Sequence, residues 1–175
     1  PDIKLSNFLI SDGKVFLSDR KIIINEENPL VKDIFSSPMF GAPEYKKCIN
    51  RAGNGYNFKA QSTRLDMPQY MSFQTGMALK EFLFNSMQDS LNSQLSADEL
   101  YELFGSWQPL SSAFDAPSDQ IKNLSTLIME LTRPEVGQRL SIKSFQGLLS
   151  KINLDPQSFL DEVNELAVKI PKLEE

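Results

Sequence analysis

The sequence predicts a mainly helical α+β domain in which one small β-hairpin is followed by a bundle of helices. Clear β-type patterning is confined to the first 24 residues, where short apolar triplets flank an Asp-Gly turn. Farther along the chain, apolar residues recur at spacings of three and four, which is the helical period. With 175 residues and 41% hydrophobic content, the chain is long enough to bury a core.

The composition excludes several functional classes. The net charge is −5 and the basic residues are scattered, so we expect no nucleic-acid binding. No apolar stretch is long enough for a membrane span in this part of the protein. Cys48 is the only cysteine and there is no histidine, which argues against a disulfide and against a zinc site. This usage fits a reducing compartment, so a cytoplasmic location is expected.

The first predicted element is the hairpin. Phe8-Leu9-Ile10 and Val15-Phe16-Leu17 surround Asp12-Gly13, a pair that favours a tight two-residue turn. Residues 21–24 predict one further short strand. We therefore expect all the β-structure of the chain to lie before residue 25.

Two irregular segments follow. Residues 25–41 show no period and suit an extended segment on the surface. Residues 50–70, which contain Gly53-Asn54-Gly55 and Pro68, predict a polar loop that is long for a compact domain. Such a loop indicates an insertion or a docking surface.

The remaining chain predicts successive helices. A dense apolar pattern within 70–84 indicates a central helix buried on most sides. Ser96 and Glu99 form a capping-box pattern that predicts a helix to about Phe104. Further helices are predicted to begin at Ser118-Asp119, Ser141 and Asp155-Pro156. The apolar stripe of the helix after Ser118 consists of Ile121, Leu124, Leu127, Ile128 and Leu131, and Pro134 is expected to end it.

A short polar motif precedes the hairpin. Asp2, Lys4 and Asn7 form the pattern D-x-K-x-x-N directly before the first apolar triplet. This pattern resembles the catalytic loop of a protein kinase. Asp19, in the sequence Leu-Ser-Asp-Arg-Lys after the hairpin, stands where a kinase carries D-F-G.

Two later motifs follow in the same order as in a kinase. Ala42-Pro43-Glu44 resembles the A-P-E that closes an activation segment, with Ser37 at the position of a threonine before it. Arg139 lies in a stretch that resembles the one before the last kinase helix, whose arginine pairs with the A-P-E glutamate. The ordered set resembles the C-terminal lobe of a protein kinase of the Ser/Thr type.

The resemblance implies a role for each of these polar residues. Asp2 would accept the proton of the attacking hydroxyl, and Lys4, which favours the Ser/Thr type, would neutralise charge on the phosphoryl group. Asn7 and Asp19 would hold Mg²⁺ by their oxygen atoms, with ATP as phosphoryl donor. Ser37 would hydrogen-bond to Asp2 and Lys4. The alternative for Asp2, Asn7 and Asp19 is ordinary turn and cap chemistry.

Glu44 and Arg139 carry a structural expectation. A carboxylate and a guanidinium can form a two-bond pair that would tie the activation segment to the helical floor. The alternative is that both charges are solvated on the surface.

The resemblance also divides the chain. Residues 1–153 would form a partial C-lobe, with a catalytic loop at 1–7, an activation segment at 19–44 and an insertion-like loop at 50–70. Residues 154–175 would add a C-terminal helix. These residues carry no G-x-G-x-x-G loop and no V-A-I-K-type lysine. We therefore expect the chain to need an N-lobe or other parent segment to act on a protein substrate, and to expose apolar surface without it.

Departures from the kinase pattern support a second interpretation. Arg20-Lys21 replaces the Phe-Gly of D-F-G, and Pro1 stands where many kinases have the arginine of H-R-D. No aspartate lies near Tyr70-Met71 to hold the catalytic-loop backbone. The alternative is a pseudokinase or docking scaffold that binds partners through the 50–70 loop and the segments near Trp107 and Phe114. A third, more remote interpretation is an unrelated helical interaction domain.

Overall fold

The computed structural model describes residues 2–18, 30–31, 40–52, 55–58, 65–92 and 118–169. The predicted strand at 21–24, the predicted helix at Ser96 and the segments around Trp107 and Phe114 lie outside these residues. The elements, in chain order, are β1 (Phe8–Ser11), β2 (Lys14–Leu17), β3 (Leu30–Val31), α1 (Pro43–Cys48), β4 (Ile49–Ala52), β5 (Gly55–Phe58), β6 (Leu65–Asp66), α2 (Met67–Asn92), α3 (Asp119–Leu131), α4 (Ile142–Leu149) and α5 (Pro156–Lys169). Short 3-10 turns cover Leu5–Asn7 and Val136–Gln138.

The predicted hairpin is present and antiparallel, with Phe8 opposite Leu17 and Ser11 opposite Lys14. Asp12 and Gly13 both have positive φ, 50° and 70°. A two-residue turn with φ positive at both positions matches the right-handed twist of the strands that it joins, which is why Asp-Gly is favoured there. The confirmed fold class is therefore mainly helical with a small antiparallel hairpin at its start.

The chain contains β-structure after residue 25, contrary to the sequence prediction. Strands β4 and β5 pair antiparallel, with Ile49 opposite Phe58, and β3 pairs with β6. The prediction of a polar loop over 50–70 is thus wrong for residues 50–52, 55–58 and 65–70. Asn54-Gly55 was an available hairpin signal. Its flanks lack the apolar alternation that marks a half-buried strand, so periodicity alone did not identify them.

The central helix is longer than predicted. Helix α2 begins at Met67 and continues to Asn92, and it packs against α3, α4 and α5. Among the described residues, no helix combines the length and the apolarity that crossing a bilayer requires. Tyr70, Ala78 and Leu83 of α2 are buried, which fits the packing of three helices on it.

Helix α3 follows the predicted stripe. All five apolar positions of that stripe are buried. The helix ends at Leu131, and Thr132 closes it with a backbone bond to the carbonyl of Ile128. The helix thus ends three residues before Pro134. A proline disfavours helical geometry in the residue before it, so helices usually end at or before that residue.

The last two helices begin at the predicted caps. Ser144 N donates to Ser141 Oγ at 3.1 Å, and Ser158 N donates to Asp155 Oδ1 at 2.7 Å. Side-chain acceptors of this kind satisfy backbone N–H groups that have no partner within the helix.

Helix α5 is also tied to its neighbours by side chains. Ser118 N donates to Glu162 Oε1 at 2.6 Å at the start of α3, and the Ser118 hydroxyl also bonds to this carboxylate. The ring of Phe159 stacks on that of Phe82 of α2 at 6.2 Å. The helix that the sequence predicts after residue 154 therefore braces α2 and α3.

Helix α2 lies close to the end of α3 at Gly76. A Cβ added there would lie 2.5 Å from Thr132 Cγ2 and 2.9 Å from Leu131 Cβ, both closer than carbon atoms approach. Only a residue without a side chain allows this contact. Gly147 of α4, in contrast, has open space where a Cβ would lie.

We predict that Gly76→Ala lowers the free energy of unfolding by about 1–3 kcal/mol, because the helices must move apart. The matched control Gly147→Ala should raise it by up to about 1 kcal/mol, because alanine favours a helix more than glycine does. Thermal unfolding of both variants checks this. Equal melting temperatures for the two variants would contradict the close contact at Gly76.

Candidate active site

The polar motif before the hairpin folds into a closed loop. Lys4 Nζ lies 2.9 Å from Asp2 Oδ2, with side chains 24% and 14% exposed. Asn7 Nδ2 donates to the carbonyl oxygen of Asp2 at 2.7 Å, and Asn7 N donates to the carbonyl oxygen of Lys4 at 3.0 Å. The structure thus brings together the Asp2 carboxylate, the Lys4 ammonium group and the Asn7 amide, which the sequence places within six residues.

Asn7 also joins this loop to the end of the hairpin. Its carbonyl oxygen accepts from Ser18 N at 2.7 Å and from Ser18 Oγ at 2.9 Å. Ser18 directly precedes Asp19 in the sequence. Asp19 and Ser37 themselves lie outside the described residues, so their predicted roles stay predictions.

Asn7 is a predicted magnesium ligand that lies within the described residues. The amide nitrogen of Asn7 is used by the bond to Asp2. The side chain therefore retains its amide oxygen as an acceptor, and such oxygens are ligands that Mg²⁺ accepts. In the described ranges, no group of three or more acidic, cysteine or histidine side chains is arranged to hold a metal. Of the predicted ligands, Asn7 thus offers one oxygen donor that fits Mg²⁺.

Glu44 and Arg139 form a forked ion pair, although 95 residues separate them. Arg139 Nη1 donates to Glu44 Oε1 at 2.6 Å and Nη2 donates to Glu44 Oε2 at 2.7 Å. The Arg139 side chain is fully buried and that of Glu44 is 21% exposed. The surface-charge alternative for these two residues is therefore wrong.

Arg139 has further partners that fix its plane. Its Nε donates to the carbonyl oxygen of Arg133 at 2.7 Å, and Nη2 donates to that of Pro134 at 3.2 Å. Nη1 reaches the carbonyl oxygen of Gln69 at 3.3 Å, and the guanidinium lies 5.0 Å from the centre of the Phe73 ring. A planar group with five donors can satisfy all these contacts at once, whereas a lysine could not.

The residues next to Glu44 pack on the start of α2. Ala42 and Tyr45 are buried in one apolar cluster with Leu65, Met67 and Tyr70. The rings of Tyr45 and Tyr70 are tilted at 44°, with centroids 5.6 Å apart. Apolar packing and the ion pair of Glu44 therefore both hold α1 in place.

Glu81 contacts the loop, which the sequence does not predict. Glu81 Oε2 of α2 accepts a hydrogen bond from Leu5 N at 3.0 Å. The only signal was a pair of charged residues inside an otherwise apolar helical run. The neighbouring Lys80 is buried, and this burial, with the nearby charge of Lys46, lowers the pKa of Lys80 to about 8.

An apolar groove of about 690 Å³ lies beneath the loop and the hairpin. Its walls come from the loop, both hairpin strands, α2 and α4, and they include Ile3, Leu17, Ala78 and Phe145. On the hairpin, Ile10 and Val15 are 79% and 64% exposed. Apolar surface of this kind marks a site that another segment or partner covers.

Proteins similar to this chain are found among solved structures. No family model matches the chain, and no curated protein sequence matches it. The crystal structure of the Legionella pneumophila LegK7 effector kinase is similar, with 42% identity and a TM-score of 0.65. The similarity covers 97% of this chain and 36% of that one. The chain is part of a protein kinase-like domain.

A second structure supports the assignment. It shows L. pneumophila LegK7 in complex with human MOB1A, and it matches at 39% identity with a TM-score of 0.64. This match covers 94% of the chain and 31% of the LegK7 chain. The protein kinase-like chain described above thus spans about a third of the length of these relatives.

We predict that Arg139→Ala lowers the free energy of unfolding by about 3–5 kcal/mol, because it leaves the Glu44 carboxylate without its buried partner. Arg139→Lys should recover only part of this, because a lysine cannot form the forked pair. Thermal or denaturant unfolding measures both effects.

The matched control is Arg133→Ala. Arg133 bonds to Glu130 at 2.6 Å, but both side chains are well exposed to solvent. Exposed ion pairs contribute little to stability, so the melting temperature should hardly change. If Arg139→Ala also left the melting temperature unchanged, the ion pair would have no structural role.

Proposed function

We propose that the chain is the C-terminal part of a Ser/Thr-type protein kinase, which transfers the γ-phosphoryl group of ATP to protein hydroxyls. One observation carries the proposal. Asp2, Lys4 and Asn7 meet in a loop whose backbone is bonded both to itself and to the hairpin. Phosphoryl transfer depends mainly on positioned charges and little on covalent chemistry, so three well-held side chains can supply much of this half of the site.

Each side chain has a distinct task in this mechanism. The Asp2 carboxylate orients the substrate hydroxyl and accepts its proton as the oxygen attacks phosphorus. Lys4, which pairs with Asp2 in the structure, turns its ammonium charge toward the transferred phosphoryl group. Asn7 fixes the Asp2 backbone by its amide nitrogen. Ser37, before Ala42-Pro43-Glu44 in the sequence, would hydrogen-bond to Asp2 and Lys4.

The proposed cofactor is Mg²⁺, bound with ATP. Asn7, through its amide oxygen, and Asp19 would hold it. When bound, Mg²⁺ neutralises charge on the phosphate oxygens. The bonds between Asn7 and Ser18 support this assignment, because they couple the first ligand to the residue before the second.

The proposed enzyme works only together with an N-terminal lobe that binds the nucleotide. The groove beneath the loop and the exposed apolar side chains of β1 and β2 support this requirement. The chain alone should then be inactive, with the remaining parent segments as its first partner and a protein as its substrate. The single cysteine supports a reducing, cytoplasmic location.

A second candidate is a docking scaffold with a kinase fold. LegK7 has been observed in complex with a protein partner, human MOB1A. The exposed apolar residues Leu9, Ile10, Val15 and Phe16 offer a surface of the kind that protein partners cover. In this alternative the chain binds a protein and transfers no phosphate.

We predict that the full parent protein transfers phosphate from ATP to a protein substrate in the presence of Mg²⁺. Asp2→Asn should lower kcat by about 10²–10⁴-fold, because the amide cannot accept the hydroxyl proton. Transfer of labelled phosphate measures this directly.

The control variant is Asp12→Asn in the hairpin turn. Asn tolerates positive φ as Asp does, and Asp12 is exposed, so transfer should remain at the wild-type rate. Transfer by Asp2→Asn at the wild-type rate would rule out Asp2 as the base. Absence of transfer from the wild type would favour the scaffold.

A further inference from the structure

The hydrogen bond between Leu5 and Glu81 joins the loop to the central helix. Leu5 is the first residue of the 3-10 turn Leu5–Asn7, and its N–H has no acceptor within that turn. Glu81 Oε2 accepts it at 3.0 Å from a position 76 residues away. A hydrogen bond with a charged acceptor is shorter and stronger than one between neutral groups.

Leu5 lies between Lys4 and Asn7 in the sequence. Leu5 follows Lys4 directly and begins the turn that ends at Asn7, so a bond to its N–H restrains the backbone between these two residues. The other bonds described above run within the loop or to Ser18. The bond to Glu81 links the loop to α2, the helix against which α3, α4 and α5 pack.

We propose that Glu81 is a positioning residue for phosphoryl transfer, acting through the Leu5 backbone on Lys4 and Asn7. It supplies, from the middle of α2, the carboxylate anchor that the sequence lacks near Tyr70-Met71 at the start of the helix. The inference rests on the proposed kinase function. It assigns to Glu81 no contact with ATP or with the substrate.

A proline at position 5 removes the donor. Lys4 has φ −153° and ψ 158°, an extended conformation that is compatible with a following proline. Proline is also accepted at the first position of a helical turn, where its missing N–H breaks no bond of the turn. Leu5→Pro therefore deletes the N–H that Glu81 binds and leaves the turn geometry possible.

The experiment compares kcat, KM and melting temperature in the full parent protein for Glu81→Leu, Glu81→Gln, Leu5→Pro and Glu81→Leu/Leu5→Pro. Glu81→Leu should lower kcat about tenfold or more, with KM for ATP nearly unchanged, because a small displacement of reacting groups is costly. Glu81→Gln keeps an acceptor oxygen and should restore most of the rate. Leu5→Pro should match Glu81→Leu, and the double variant should lose no more than either single one.

The matched control is Asn85→Ala, one helical turn beyond Glu81 and exposed, which should keep the wild-type kcat. The inference is overturned if Glu81→Leu keeps the wild-type kcat, if Glu81→Gln is as impaired as Glu81→Leu, or if the two losses multiply in the double variant. A fall in melting temperature that matches the fall in kcat across all variants would also overturn it, because the role would then be structural only.

Amide hydrogen exchange separates this inference from the proposed function. Exchange at Leu5 should be faster in Glu81→Leu than in the wild type, whatever the activity. If the wild type is inactive but its Leu5 amide is protected, the hydrogen bond is present. The kinase proposal is then overturned, and the positioning role falls with it. An active wild type with an unprotected Leu5 amide would overturn the positioning role alone.

Discussion

The ion pair between Arg139 and Glu44 is the constraint that fixes how α1, the start of α2 and the turn after α3 are arranged. A fully buried guanidinium needs a full set of acceptors, because an unpaired charge away from water is very unfavourable. The carboxylate of Glu44 and the carbonyl groups of Arg133, Pro134 and Gln69 supply these acceptors. Segments far apart in the chain must therefore meet at one point. Helix α1, the start of α2 and the turn after α3 have their relative positions fixed by this requirement.

Helix α2 contacts both Arg139 and the loop. Gln69 and Phe73, near its start, contact Arg139, whereas Glu81 lies about three turns farther along and binds the loop backbone. A helix of this length is stiff when it is packed on several sides, and α3, α4 and α5 all pack on α2. The close approach of α3 at Gly76 lies between the two contact regions. The residues that contact Arg139 and the carboxylate that binds the loop backbone thus belong to one helix.

The sequence predicted the parts of this fold in which the signal is local. The turn at Asp12-Gly13, the stripe of α3 and the cap at Ser141 each depend on neighbouring residues, and each is present. The β4–β5 pair was missed because its strands carry little apolar alternation. Glu81 was missed for a different reason. A glutamate within an apolar helix has no sequence pattern that reveals its acceptor role, because its partner is a backbone N–H 76 residues away.

Both candidate functions use the same helical core and ion pair, but they require different things of the loop. A docking scaffold requires shape and apolar surface, which the hairpin and the groove provide. It does not require a carboxylate, an ammonium and an amide to converge where the charged side chains are only 14% and 24% exposed. Partial burial of charges opposes folding unless they are paired and hydrogen-bonded. In this loop the cost of ordering is offset by bonds that also fix Asp2 and Asn7, and such preorganisation has a direct use in phosphoryl transfer. The geometry of the loop therefore favours the enzyme over the scaffold.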